Sequence, residues 1–166
     1  DYAFVANGRG GLKILKLIDL TPKAPTCTGS YPKYSANESW FNINSNDKRN
    51  FSGTHTFQGV NVGGQLIWCG TMRVMSSDLN VNSNGVFTLY GTLVASKSLN
   101  VNASTNLYGA SLVEGNLNLN SDGSLHIIGN LSQGKSASQS TFHINGKLII
   151  EGEVVVYGDL NLNSSG

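Results

Sequence analysis

The chain has 166 residues and a formal net charge of +1, and only 13% of its residues are charged. The Lys and Arg residues are scattered, which argues against nucleic acid as the main partner, because phosphate binding needs clustered cations. Hydrophobic residues make up 39% of the sequence and are regularly spaced, so we expect a folded domain. No apolar run is long enough to span a membrane, and we predict no membrane insertion.

Residues 1–57 do not follow the pattern of the rest of the chain. The stretch "GLKILKLIDLTPKAP" places Leu12, Leu15 and Ile18 on one helical stripe that Pro22 would stop. The overlapping stretch "YAFVANGRGGLKILKL" is equally typical of a β-hairpin with "NGRGG" at its tip. We expect this helix or hairpin to cap the domain that follows, and we interpret Thr26 to Phe57 as a loop.

From residue 58 onwards the sequence repeats a three-part unit. "LNVN" or a close relative is followed by a short apolar segment ending in glycine, and then by a third apolar segment such as "GTLVA". The "LNVN" elements begin at Leu79, Leu99, Leu117 and Leu160, with variants at Val60 and Phe142. The glycines Gly70, Gly91, Gly109, Gly129 and Gly152 are 21, 18, 20 and 23 residues apart. Three short strands in each repeat of this length predict an all-β parallel β-helix (β-solenoid) of about five coils over residues 58–166. We expect it to be right-handed.

Alternation within the strands separates the inward from the outward side chains. Leu79 and Val81, with their equivalents up to Leu160 and Leu162, are expected to face the core, as are the pairs Leu66 and Trp68, and Phe87 and Leu89. The first asparagine of each motif (Asn80, Asn100, Asn118) is then expected to point outward on a flat face. The second (Asn82, Asn102, Asn120, Asn145, Asn163) falls where the strand turns, and these side chains are expected to stack as an amide ladder.

Cys27 and Cys69 are the only cysteines in the chain. No pair of histidines accompanies them, so they make a poor zinc site. We predict a disulfide, which is typical of an exported protein. Cys69 follows the inward Trp68 and should point outward. A disulfide to Cys27 would there attach the loop to the first coil.

Outward aromatic side chains are the strongest sign of a ligand. Tyr90 and Tyr108 both precede the glycine of their repeats and are expected to stack on the outer surface. Such rings can stack on sugars while asparagines bond hydroxyl groups, although stacked tyrosines also simply stabilise neighbouring strands. Trp40, in "NESWFN", is either a further contact or an anchor for the loop. The candidate ligand-binding residues are Tyr90, Tyr108, Asn80, Asn100, Asn118 and Trp40.

No arrangement of residues indicates catalysis. Glycoside hydrolysis normally needs two carboxylates that flank the bond. Asp78 and Asp159 lie several repeats apart, and Glu151 and Glu153, which bracket Gly152, need not face one cleft. His55, His126 and His143 are separate and lack metal-ligand spacing. We therefore predict no catalytic residue, no metal and no cofactor. A polysaccharide lyase or hydrolase of the β-helix type remains an alternative function.

The run from Leu79 to Gly166, with "LNVN", "LNLN", "NGKLIIEG" and "VYGDLNLN", resembles repeat tracts of β-helical bacterial cell-surface proteins. It looks most like the tāpirin adhesins, which are linked to type IV pili and bind cellulose. The resemblance implies an extracellular, surface-attached adhesin domain whose partner is a plant cell-wall polysaccharide.

A second alternative is a non-binding stalk or self-assembling surface protein. Because the sequence stops within a repeat, we expect further coils after Gly166. The rest of a longer chain, or a pilus assembly, is then a further expected partner.

Overall fold

The computed structural model describes residues 23–135 and 140–163 in full, and the backbone of residues 2–6 and 12–16. This part of the chain consists of strands, turns and loops and contains no helix. The strands are β1 Tyr2–Ala6, β2 Leu12–Lys16, β3 Trp40–Ile43, β4 Lys48–Phe57, β5 Gly59–Val62, β6 Gln65–Val74, β7 Leu79–Val81, β8 Val86–Ala95, β9 Leu99–Val101, β10 Ser104–Tyr108, β11 Ser111–Val113, β12 Leu117–Leu119, β13 Ser124–Ile128, β14 Leu131–Gln133, β15 Thr141–Ile144, β16 Lys147–Glu151, β17 Val154–Val156 and β18 Asp159–Leu162.

The predicted parallel β-solenoid is confirmed. Strands β3 to β17 form six coils in the described part of the chain, and β18 begins another turn. One sheet, here called the asparagine sheet, contains β3, β5, β7, β9, β12, β15 and β18. The other, the glycine sheet, contains β4, β6, β8, β10, β11, β13, β14, β16 and β17. Neighbouring strands in both sheets run parallel, and equivalent repeat positions stand opposite one another, as Leu79 does with Leu99.

The glycine sheet bends along a row of stacked glycines, the glycine ladder. Its members Gly53, Gly70, Gly91, Gly109, Gly129 and Gly152 have φ angles between +108° and +148°. L-residues rarely adopt this conformation, and a Cβ on Gly91 would collide with the carbonyl oxygen of Gly70. Strands β4, β6 and β8 cross the bend, whereas later coils break there into two strands. The sheet therefore has a first arm before the ladder (ending in β10, β13 and β16) and a second arm after it (ending in β11, β14 and β17).

The core lies between the two sheets, and the predicted inward side chains fill it. Leu79, Val81, Leu99 and Trp68 are all fully buried, which confirms the alternation. The last turn differs. Leu160 holds an inward position opposite Phe142, yet it is 51% exposed. Leu162 is 65% exposed, because no strand of the described chain lies beyond β18.

The loop predicted for Thr26 to Phe57 is wrong over its second half. Trp40–Ile43 and Lys48–Phe57 are strands of a complete coil, so the solenoid sheets begin 18 residues before the expected boundary at residue 58. The sequence carries a sign of this coil, since "FNIN" at Phe41 precedes "VNVG" at Val60 by 19 residues and matches the "LNVN" pattern. The repeat was hidden by the charged and polar segment that follows it, "DKRNFSG", because the other repeats have an apolar segment there.

The predicted N-terminal hairpin is confirmed, and the alternative prediction of a helix is wrong for the residues that the structure describes. β1 pairs with β2 antiparallel, with Tyr2 opposite Lys16. The alternation of "LKILK" fits a strand. The predicted helical stripe also needed Ile18, which lies outside the described residues.

The first coil is covered by residues 32–34. Ser52 N donates to the Pro32 carbonyl (2.9 Å) and Tyr34 N to the Ser52 carbonyl (3.0 Å). The Tyr34 ring lies against the rings of Phe51 (5.0 Å between centroids) and Trp68 (5.5 Å) and is only 8% exposed. Burial, together with the hydrogen bond that its hydroxyl donates to Glu38, raises the pKa of Tyr34 to about 12. This tyrosine closes the aromatic end of the core.

Candidate ligand-binding surface

The six predicted ligand-binding residues fall on two different sheets. Tyr90 and Tyr108 lie on the first arm of the glycine sheet. The other four, Asn80, Asn100, Asn118 and Trp40, lie on the asparagine sheet. Because the two sheets enclose one core, their outer surfaces face away from each other. One flat ligand therefore does not contact both groups, and the combined face expected from the sequence is not formed.

The first asparagines of the repeats bond to one another. Asn80 Nδ2 donates to Asn61 Oδ1 (2.9 Å), Asn100 Nδ2 donates to Asn80 Oδ1 (2.7 Å) and Asn118 Nδ2 donates to Asn100 Oδ1 (2.7 Å). The row begins at Asn42, which accepts from Asn61 (2.8 Å). This amide ladder joins five successive coils, and its side chains bond to one another along the row.

The ladder expected for the second asparagines is only partly present. Asn120 Nδ2 donates to Asn102 Oδ1 (2.5 Å), and Asn163 Nδ2 donates to Asn145 Oδ1 (2.5 Å). Asn82, at the same repeat position, is exposed. The continuous ladder thus belongs to the outward face of the strands and not to their turns.

Trp40 is a strand residue rather than a loop residue. It begins β3 and stands opposite Gly59. The indole ring covers that glycine so closely that a side chain there would overlap it, yet 47% of Trp40 is exposed. Trp40 therefore anchors the first coil and also presents an aromatic surface near the start of the amide ladder.

Tyr90 and Tyr108 form the wall of a groove. Their rings are 5.1 Å apart between centroids and inclined at 45°, and both are half-buried. The predicted disulfide between Cys27 and Cys69 is confirmed, with its Cα atoms 6.0 Å apart. It holds residues 24–27 against the sheet, so that a groove of 360 Å³ lies between this segment and the tyrosines. We call it the tyrosine groove; it is lined by Ala24, Pro25, Thr26, Cys27, Cys69, Gly70, Tyr90, Gly91 and Tyr108.

Polar groups continue the first arm beyond the tyrosines. The His126 ring meets Tyr108 edge-on (6.1 Å between centroids), and His126 Nε2 lies 3.0 Å from Glu151 Oε1. Burial raises the pKa of the Tyr108 hydroxyl, and the nearby Tyr90 and Glu151 add to this rise. The hydroxyl is therefore protonated at neutral pH and can both donate and accept hydrogen bonds. This part of the surface combines aromatic rings with groups that bond hydroxyls.

A larger groove of 510 Å³ lies on the second arm, and sequence reasoning missed it. We call it the apolar groove. Its outward side chains include Val94, Leu112 and Val155, each half-buried. A signal was present, because segments such as "GTLVA" and "GEVVV" are apolar at outward as well as inward positions. Such runs are also typical of strands buried on both faces, which hid the groove.

The acidic residues considered for catalysis have separate surroundings. Asp78 Oδ1 accepts from the backbone N of Ser98 (2.9 Å), which is a turn-stabilising contact. Glu151 and Glu153 flank Gly152 and are exposed, and Glu151 contacts His126. Within residues 23–135 and 140–163, no three His, Cys, Asp or Glu side chains are grouped as metal ligands.

No protein family, no curated protein and no solved structure matches this chain. The described residues also include no helix that is long and apolar enough to cross a membrane. The case for a function therefore rests on the geometry of the two sheets.

Proposed function

We propose that this chain is a polysaccharide-binding domain of an adhesin exported to the bacterial cell surface, and that the tyrosine groove holds the ligand. The observation that carries the proposal is the pair of half-buried rings of Tyr90 and Tyr108 beside the disulfide-anchored segment. Tyr157, by contrast, is 52% exposed and lines neither groove. Aromatic walls with few polar groups are typical of carbohydrate and small-ligand sites.

The polar groups beyond the tyrosines support a hydroxyl-rich ligand. The protonated hydroxyl of Tyr108, the ring of His126 and the carboxylate of Glu151 offer donors and acceptors along one side of the arm. The low content of charged residues favours a neutral polymer over an acidic one. The resemblance of the repeats to tāpirin adhesins makes cellulose the first polymer to test, and it supports a link to a type IV pilus.

The disulfide supports the proposed location. Cys27 and Cys69 are joined, and structural disulfides persist in oxidising compartments and outside the cell. The bridge also fixes one wall of the tyrosine groove. The same feature therefore connects an extracellular setting with the ligand site.

The test is a pull-down on insoluble cellulose, xylan and chitin with reducing sugar assayed in the same tubes. We expect the wild-type chain to be depleted by one polymer without sugar release, and Tyr90→Ala/Tyr108→Ala to remain in solution. The control is Asn80→Ala, an outward substitution on the other sheet. Equal depletion of the double variant contradicts the site, and failure of the wild-type chain to bind contradicts the function. Sugar release instead supports the lyase or hydrolase alternative and directs attention to Glu151 and Glu153.

A further inference from the structure

We infer that the apolar groove is a second subsite for the same polysaccharide chain, which crosses the glycine ladder and occupies both grooves. This inference rests on the proposed function and extends it. The lining of the apolar groove includes one outward residue from each of four coils, namely Val94, Leu112, Ser132 and Val155. It therefore extends over four successive coils, which at the spacing of parallel strands is about 14 Å along the solenoid.

The two grooves meet at the glycine ladder. Tyr90 lines the tyrosine groove directly before Gly91, and Thr92 lines the apolar groove directly after it. One coil later, Tyr108 and Ala110 flank Gly109 in the same way. The linings of the two grooves are therefore separated only by Gly91 in one coil and by Gly109 in the next, and neither residue has a side chain. An extended ligand crosses between the grooves at these two positions.

The lining of the apolar groove suits a neutral sugar chain. Val94, Leu112 and Val155 provide an apolar floor in three different coils. Hydroxyl and amide groups of Thr92, Ser132 and Asn130 lie among them. Sugar rings present apolar C–H faces and a rim of hydroxyls, which matches a groove of apolar surface with a few polar groups. Glu153 is the single charged residue of this lining and would disfavour acidic polymers.

A peptide strand fits the apolar groove less well than a sugar chain. Peptides commonly bind sheets by adding a strand to a free edge. Within the groove, β11 is paired with β8 and β14, and β14 is paired with β11 and β17. Their backbone groups are used in these pairings, and among the described strands of the groove only β17, in its last coil, has an unpaired edge. A ligand that binds through ring faces and hydroxyls does not need one.

The experiment is calorimetric titration with cello-, xylo- and chito-oligosaccharides, each from the dimer to the hexamer. We expect wild-type affinity to rise with length. Val94→Asn/Leu112→Asn should bind short oligomers normally but lose about tenfold in affinity for the hexamer, equivalent to roughly 1.4 kcal/mol. Both positions are on the outer face, so the fold should persist; circular dichroism checks this, and Leu112→Ala is the milder substitute.

The control is Thr56→Asn, because Thr56 is exposed and occupies the same outward row as Val94 but lies outside the groove. Wild-type affinity that does not rise with length overturns the inference. Normal hexamer binding by Val94→Asn/Leu112→Asn overturns it as well. If wild-type binding in that case still requires Tyr90 and Tyr108, the proposed function remains intact. Absence of binding by the wild-type chain to every polymer and oligomer overturns both.

Discussion

The outer faces of the two sheets use the same repeat in opposite ways. On the asparagine sheet, Asn42, Asn61, Asn80, Asn100 and Asn118 repeat one residue type and satisfy one another by hydrogen bonds. On the glycine sheet, the inward positions and the ladder glycines repeat, but the outward positions vary between tyrosine, histidine, leucine and valine. Regular outward residues therefore mark the scaffold of this solenoid, and irregular ones mark the surface that we propose for recognition.

The largest effect is expected at the glycine ladder, which gives the glycine sheet its two arms. Gly91→Ala places a side chain at φ +134° and against the carbonyl of Gly70. We expect a loss of about 4 kcal/mol or more in the free energy of unfolding, measured by urea denaturation, because strain and a backbone clash add.

Gly53→Ala is the matched control for this substitution. Gly53 also has a positive φ of +108°, but the nearest atom to its Cβ is Cγ of the flexible Lys33 side chain, at 3.4 Å. We expect a smaller loss of about 1–2 kcal/mol from strain alone. Equal losses for the two variants would show that stacking of the glycines does not dictate the bend.

The disulfide is expected to give the next largest effect. Cys27 and Cys69 are 42 residues apart, and closing a loop of this length restricts the unfolded chain by about 4 kcal/mol. Cys27→Ser/Cys69→Ser should lower the unfolding free energy by up to this amount. It should also weaken polysaccharide binding, because residues 24–27 then no longer border the tyrosine groove. Unchanged binding would show that this segment is not part of the ligand site.

Tyr34 gives a pH-dependent prediction for the covered end of the solenoid. Its pKa is raised from 10.0 to about 12 in the folded protein, so folding favours the neutral phenol. The stabilisation is complete below pH 10 and is lost as the pH rises from 10 towards 12, by up to about 3 kcal/mol. Urea unfolding at several alkaline pH values measures this loss. Tyr34→Phe should be less stable at pH 8 but show a shallower alkaline decline; an identical decline would assign it to other groups.

The smallest effect is expected on the asparagine sheet, and it tests the contrast between the faces directly. Asn100→Ala removes hydrogen bonds with both Asn80 and Asn118, and we expect a loss of about 1–2 kcal/mol in stability. Polysaccharide binding should not change. Asn82→Ala, at an exposed position outside the ladder, should cost less than about 0.5 kcal/mol. Loss of binding in Asn100→Ala with normal stability would reverse the roles assigned to the two faces.

The sequence predicted the solenoid and its core well because alternation and period are local properties. Leu79, Val81 and Trp68 were assigned inward from neighbouring residues alone, and all are buried. The bridge between Cys27 and Cys69 followed from the outward position next to Trp68. The first coil was missed because the segment after "FNIN", "DKRNFSG", is charged and polar where the other repeats are apolar.

The proposed ligand surface was harder to predict because alternation separates inside from outside but does not relate one outer face to another. It therefore grouped Asn100 with Tyr108, although they lie on different sheets. It also hid the apolar groove, since an outward Leu112 or Val155 resembles a core residue in sequence. Only the arrangement of the two arms around the glycine ladder reveals that these side chains line a groove.

Hydroxyl-radical footprinting of the chain bound to its polysaccharide tests most directly the claim that the ligand lies on the glycine sheet. The outer faces of both sheets carry oxidisable aromatic rings, so one experiment compares them. Oxidation of Tyr90 and Tyr108 should fall on binding. Trp40 on the asparagine sheet, 47% exposed, should be unchanged, and so should Tyr157, which is 52% exposed and lines neither groove. Protection of Trp40 with no change at Tyr90 and Tyr108 would contradict the account and place the ligand on the asparagine sheet.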